Sequence, residues 1–177
     1  MGYVIRAVRA DEWEQLKELR LAALADPVAR VAFNETLAGA AGQTDGFWQE
    51  RAARGGVEEG AITFIGEAGD GSWGGMVVVL VEGNGEVPQT HLFGVYVRPE
   101  HRGTGLAQEL FGAAIRWSWG IAEPVVERVR LWVHEANGQA EAFYRRLGFV
   151  ATGRTVADPK NAAAVEREMA LGRAGAS

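Results

Sequence analysis

Val95-Tyr96-Val97-Arg98-Pro99-Glu100-His101-Arg102-Gly103-Thr104-Gly105-Leu106-Ala107 is where the chain passes from strand to helix. A β-branched and aromatic run stops at a proline. An arginine and two glycines one residue apart follow, and an apolar-periodic helix starts at once. Successive backbone N–H groups in such a turn point into one concavity, and the helix behind adds its positive N-terminal end. The stretch reads as a phosphate site between strand and helix, or as a tight turn whose glycines serve geometry alone.

Two familiar nucleotide patterns fail here. A dinucleotide fingerprint needs G-x-G-x-x-G or -A, and counted from Gly103 the last position is Gln108. The Gly-Lys-Ser/Thr of a P-loop is missing as well. What is left is Arg-x-x-Gly-x-Ala at Arg102, Gly105 and Ala107, with small residues at 103, 105 and 107 that let a pyrophosphate approach the backbone.

The rest of the chain sets bounds. Its 177 residues suit one domain with a substantial core, and an apolar fraction of 47% is ordinary for a soluble globular protein. With 18 basic and 23 acidic residues the formal charge is -5, and no basic run supports a nucleic-acid partner. An anionic ligand must then be held locally, by oriented amides and a few arginines. Cysteine is absent, which removes disulfides, thiol nucleophiles and cysteine metal sites. The N-terminus has no long apolar segment, so neither a signal peptide nor a membrane span is expected, and the chain reads as cytoplasmic.

Tyr3 to Val8 reads as a strand. Asp11 then reads as an N-cap with Glu14 in capping-box position, and Trp13, Leu16, Leu19, Ala23 and Leu24 follow at helical spacing up to Asp26-Pro27. Residues 28 to 43 are ambiguous. Asp45 to Ala53 is a second helix, broken by Gly55-Gly56. Strands are expected at Ala61 to Glu67, Met76 to Val81 and Gln89 to Val97, with Asp70-Gly71 and Gly74-Gly75 as turn signals. The helix after the glycines carries Leu106, Leu110, Ala114 and Trp117 on one stripe. Val125 to Val133 is a strand, Gln139 to Leu147 a helix, and Val150 onward and Ala163 to Leu171 the closing strands. The order predicts a single mixed α/β domain over residues 1–171, with residues 172–177 a disordered tail.

A second segment sharpens the first. Residues 131–149 have the form L-x-V-x-x-x-N-x-x-A-x-x-F-Y-x-x-x-G-F, through Leu131, Val133, Asn137, Ala140, Phe143, Tyr144, Gly148 and Phe149. Together with the glycine turn, this resembles the GNAT superfamily of acetyl-CoA-dependent N-acetyltransferases. The resemblance is strongest over residues 90 to 151. The Trp13-x-x-Leu16-x-x-Leu19-Arg20 helix and the closing Glu166-x-Glu168-Met169 strand also fit. It implies a mostly antiparallel central sheet with a parallel pair flanking the pyrophosphate turn and helices on both faces.

By that resemblance Arg102, Gly103, Thr104, Gly105, Leu106 and Ala107 wrap the pyrophosphate of coenzyme A, largely through backbone amides. Val95, Tyr96 and Val97 lie on the strand that offers backbone groups to pantetheine. Asn137 caps the next helix and faces the cofactor arm; a cap alone would also explain it. Phe143 and Tyr144 are adjacent, so only one is expected to point at the core. Tyr144 falls where the family has a tyrosine near the thioester sulfur. A phenol of pKa ~10 can protonate a departing thiolate whose conjugate acid is near ~8.5, as a general acid. The expected chemistry is attack of a neutral amine on the acetyl carbonyl, through a tetrahedral oxyanion held by a backbone N–H.

One departure stands out. Many members carry a glutamate on the strand before the turn, where this chain has His91, Leu92 and Phe93. His91, with an ordinary pKa of ~6.5, is a candidate base or else an exposed strand-end residue, Glu82 and Glu86 could act through water, and the base is unassigned. Other chemistries find no support: His134-Glu135 meets Gly138 where a zinc helix needs histidine, Ser72 lacks the elbow glycine, and no metal is expected. The function expected is acetyl transfer to the primary amine of a small molecule. A protein or peptide acceptor and a non-catalytic acyl-CoA sensor are the alternatives, and a homodimer through strand edges is compatible with the sequence. The acceptor pocket is expected from residues 26 to 60 and the loops at 82 to 90 and 154 to 162. Glu35, Asp45, Glu82, Glu86 and Asp158 would make it acidic if they converge there, and are otherwise surface charge.

Overall fold

A computed structural model describes residues 2–27 and 35–173. Strands β1 (Val4–Ala7), β3 (Ala61–Glu67), β4 (Trp73–Glu82) and β5 (Gln89–Val97) form an antiparallel half-sheet, with the short β2 (Gly55–Gly56) paired to β3. Strand β6 (Arg128–His134) runs parallel to β5, and β8 (Asn161–Gly172) inserts antiparallel between β6 and β7 (Val150–Asp158). A parallel neighbour needs a crossover, here supplied by the helix Leu106–Trp119. The expected mixed, mostly antiparallel sheet with one parallel pair at the glycine turn is the architecture observed.

Helices cover both faces. On one, α1 (Trp13–Ala25), α2 (Leu37–Ala41) and α3 (Asp45–Ala53) bury Leu19, Ala40 and Trp48 against Ile65 and Met76. On the other, α4 (Leu106–Trp119) and α5 (Gly138–Arg146) pack Leu110, Phe111 and Ala114 against Val77, Val129 and Val133. Along β6, Val129, Leu131 and Val133 are buried while Arg128, Arg130 and Trp132 face the other way, the period of two expected of a strand.

Several local readings change. The reach-back to the first helical turn comes from Glu12, whose Oε1 accepts from the Arg9 N–H at 2.8 Å, rather than from Asp11 and Glu14. Gly74 and Gly75 lie inside β4 and make no turn. They are the seat of α4: a Cβ on Gly74 would stand 2.9 Å from Leu106, and one on Gly75 only 2.5 Å from the Tyr96 carbonyl oxygen. Gly66 on β3 gives way to Leu106 in the same manner. Gly55-Gly56 joins the sheet as β2. Of the ambiguous residues 28 to 43, Thr36 caps α2, and 28–34 lie outside the described residues. At the end of the chain Gly172 closes β8, and the Arg173 guanidinium donates to the carbonyls of Trp119 and Val126; residues 174–177 are not described. No described helix is long and apolar enough to cross a membrane.

Candidate active site

Strands β5 and β6 pair only over Gln89–Arg128, Thr90–Val129 and His91–Arg130. Beyond His91 they part. The cause lies in β5, where Gly94 and Val95 together oppose the single residue Val77 of β4, with Gly94 at φ +63. Such a bulge bends its strand and increases the local twist. Leu92, Phe93, Tyr96 and Val97 therefore keep their pairing to β4 on one side, and, among the described residues, 92–97 have no strand partner on the other. The gap is a cavity of about 1050 Å³ that runs from α1 and α3 on one face of the sheet to α4 and α5 on the other.

The glycine turn forms one wall. Gly103 and Gly105 have φ +76 and +86, and a Cβ at either would meet nothing within 4 Å. Glycine is needed there for backbone conformation, and the same positions leave an open face toward the cavity. Arg102 turns its side chain back into the protein: Nε donates to the Val97 carbonyl at 3.1 Å and Nη2 to Asp26 at 2.8 Å. Thr104 is the one turn residue among those expected that does not line the cavity. Its hydroxyl donates to the His101 carbonyl and accepts from Tyr3, whose oxygen also meets His101 Nδ1 at 2.8 Å. Leu106 reaches the cavity, but its side chain is buried under the β3 and β4 glycines. The Tyr96 ring is likewise turned inward, with its phenol donating to Asp26 at 3.2 Å.

Opposite stand β6 and α5. The Asn137 side chain accepts from the Ala140 N–H at 3.3 Å, capping α5, and also lines the cavity. Ahead of it His134 accepts from the Ala136 N–H at Nδ1 and donates from Nε2 to Asp158, 3.0 Å away, which fixes the turn. Both Phe143 and Tyr144 line the cavity and both also touch the core, contrary to the expectation that only one could. Their ring centres lie 5.4 and 5.5 Å from that of Phe111. The Phe143 and Tyr144 rings also meet each other edge to face at 5.9 Å, so the three rings form one cluster. The Tyr144 phenol has no hydrogen-bond partner among the described residues, and burial pushes its pKa up to about 12.

His91 lies where the strands separate and lines the cavity. Burial, then the charge of Arg130, push its pKa down to about 4 against the opposing pull of Glu82 and Glu168. Glu82, the candidate proton relay, is occupied elsewhere: Arg130 grips it at 2.9 and 2.7 Å and Gln89 donates to it at 3.1 Å. Neither Glu82 nor Glu86 lines the cavity. Among the described residues no cluster of three or more His, Asp or Glu could hold a metal ion.

The remaining end of the cavity is bounded by Arg20 on α1, Glu35, and Arg51 on α3. An acidic lining is therefore not observed. Of the five acids expected there, only Glu35 is present, and it accepts from Arg20 at 3.1 and 2.9 Å. Arg20 closes the Trp-x-x-Leu-x-x-Leu-Arg motif within α1 and Arg51 follows Phe47 and Trp48 by one helical turn. Those placements were the available signals for both.

A family model described as acetyltransferase (GNAT) family matches residues 13–149, and the chain belongs to that family. It is an acetyl-CoA-dependent acyltransferase. Solved structures share the fold. They include PaiA N-acetyltransferase from Thermoplasma acidophilum in complex with coenzyme A, at 16% identity over 98% of this chain and 100% of that one, TM-score 0.75. Spermidine N-acetyltransferase from Vibrio cholerae in complex with CoA and spermine is 19% identical over 96% and 95%, TM-score 0.73. NAA60 from Arabidopsis thaliana in complex with a bisubstrate analogue is 17% identical over 99% and 100%, TM-score 0.69. No curated protein matches the chain in sequence.

Proposed function

We propose that the protein acetylates the primary amine of a small molecule by direct attack on acetyl-CoA. The observation that carries this is the shared cavity: the glycine turn, the unpaired edge of β5, Asn137 and Tyr144 all open onto it. The open faces of Gly103 and Gly105 and the start of α4 suit a pyrophosphate, and the free edge of β5 suits a chain of amides laid alongside. Acetyl-CoA supplies the activated thioester.

Backbone N–H groups from Gly103 to Ala107 hold the phosphates. Residues Val95 to Val97 offer the pantetheine arm their unpaired backbone edge, and Asn137 borders that arm while capping α5. Tyr144 donates its phenolic proton toward the departing sulfur. With its pKa near 12 the phenol stays protonated, so it acts as a hydrogen-bond donor that stabilises the thiolate before full transfer. His91 is neutral across the physiological range and passes the ammonium proton on toward solvent without storing it.

The test is thiol release from acetyl-CoA, followed across small amines and, in parallel, peptides with free N-termini or lysines. Turnover with small amines is expected. Turnover confined to peptides would replace the acceptor class, and coenzyme A binding with no turnover on any amine would leave a sensor.

A further inference from the structure

We propose that the acceptor amine also carries a carboxylate, held by Arg51 beside the Arg20–Glu35 pair. The inference rests on the acetyltransferase reading above and specifies its second substrate.

Among the described residues, two guanidinium groups and one carboxylate bound this end of the cavity, an excess of one positive charge, and Arg54 on the side pocket is paired with Glu50. His91, the titratable group facing them from β5, is neutral. Arg20 is committed to Glu35 through two hydrogen bonds. Arg51 has no ion pair or hydrogen bond among the described residues. Its guanidinium lies 4.4 Å above the Phe47 ring, which covers one face and leaves the donor edge. Among the described residues Arg51 Nε is buried without a hydrogen-bond partner, and so is Nε1 of Trp48, which is only 1% exposed. Both residues line a side pocket of about 30 Å³, with Leu16, Thr63 and Met76, that shares Arg20, Arg51 and Phe93 with the lining of the main cavity. Buried donors without acceptors are uncommon, and two on one pocket call for a ligand that brings acceptors.

A carboxylate accepts only, through two oxygens in one plane, and matches the fork of a guanidinium. A polyamine would instead bring like charge to the unpaired cation. Burial already holds the Arg51 guanidinium below its ordinary pKa, partly offset by Glu35 and reinforced by Arg20. A bound anion would relieve that cost. The cationic end also borders the bulge, since a Cβ on Gly94 would lie 3.4 Å from Arg20 Nη1. Amine and carboxylate thus belong on one small molecule of the amino-acid type, whose side chain must be slight to enter so small an apolar pocket.

The experiment compares amino acids with their carboxamides and with spermidine, by acetyl transfer. A second arm titrates N-acetyl amino acids and N-acetyl amino amides into the complex with coenzyme A. The free carboxylate is expected to be favoured roughly tenfold in both arms, the scale of one charge-assisted hydrogen bond. Arg51→Gln should abolish the preference and Arg51→Lys retain part of it, with coenzyme A affinity unchanged in each. Equal or better acetylation of carboxamides or spermidine, or equal binding of the N-acetyl amino amides, overturns the proposal. Preferential carboxylate binding with no acetylation of any amine would uphold the carboxylate site and sink the acetyltransferase reading.

Discussion

Arg102 Nη2 and Asp26 Oδ2 stand 2.8 Å apart, tying the glycine turn on one side of the cavity to the residue that ends α1. The Asp26 carboxylate is 8% exposed and also accepts from Tyr96, while Arg102 is 46% exposed. Arg102→Ala removes the cation from a largely buried carboxylate and frees the turn from Val97. Solvent on the arginine side limits the loss to about 1 kcal/mol of stability. Thermal unfolding should show that drop, and calorimetry a several-fold weaker affinity for coenzyme A. Unchanged affinity would mean that the brace does not shape the turn.

Tyr144→Phe keeps the ring against Phe111 and removes only the hydroxyl. The rate of transfer should fall by about a hundredfold, the low end of the range for a positioned proton donor, while coenzyme A affinity is retained. Because burial raises the phenol to about 12, the wild-type rate should show no alkaline decline assignable to Tyr144 below about pH 11. Loss of coenzyme A binding in the variant would reassign Tyr144 to cofactor binding.

His91 predicts a pH dependence of stability. Its folded pKa is about 4 and its unfolded value about 6.5. Above pH 6.5 the group is neutral in both states and has no effect. As pH falls from about 6.5 to about 4 the unfolded chain takes up the proton first, so stability declines; below that the contribution is flat. Urea midpoints measured across this window should slope less steeply in His91→Gln than in the parent, and parallel slopes would count against the burial of His91.

Two glycine substitutions should separate fold from site. Gly75→Ala brings a methyl group against the Tyr96 carbonyl of the neighbouring strand and should cost about 3 kcal/mol, the upper range for overpacking. Gly103→Ala meets no atom and pays only for its left-handed backbone, about 1–2 kcal/mol. Its methyl stands on the cavity wall, so coenzyme A affinity should fall more than stability. A chemical melt and a ligand titration on both variants decide the point.

The turn and the helix cap proposed to hold the donor were legible because the conformations they need are local. Left-handed glycines in a turn and an asparagine at a helix start each need particular residues at fixed spacing. The acceptor half was not, because Arg20, Glu35 and Arg51 come from separate stretches with no common pattern and meet only when the helical layer closes. Gly74 and Gly75 misled for a related reason. A glycine that makes a turn and one that makes room for Leu106 look alike in one sequence. Phe143 and Tyr144 share a face because adjacent helical residues differ by only about 100° and can both pack against one ring.

The short pairing of β5 and β6 has a thermodynamic consequence. The sheet folds with part of one ladder unfinished, and the proposed donor, its amides laid along β5, would stand in for the strand that is missing there. Filling the gap is then a continuation of folding, and occupancy and foldedness become two readings of one linked equilibrium.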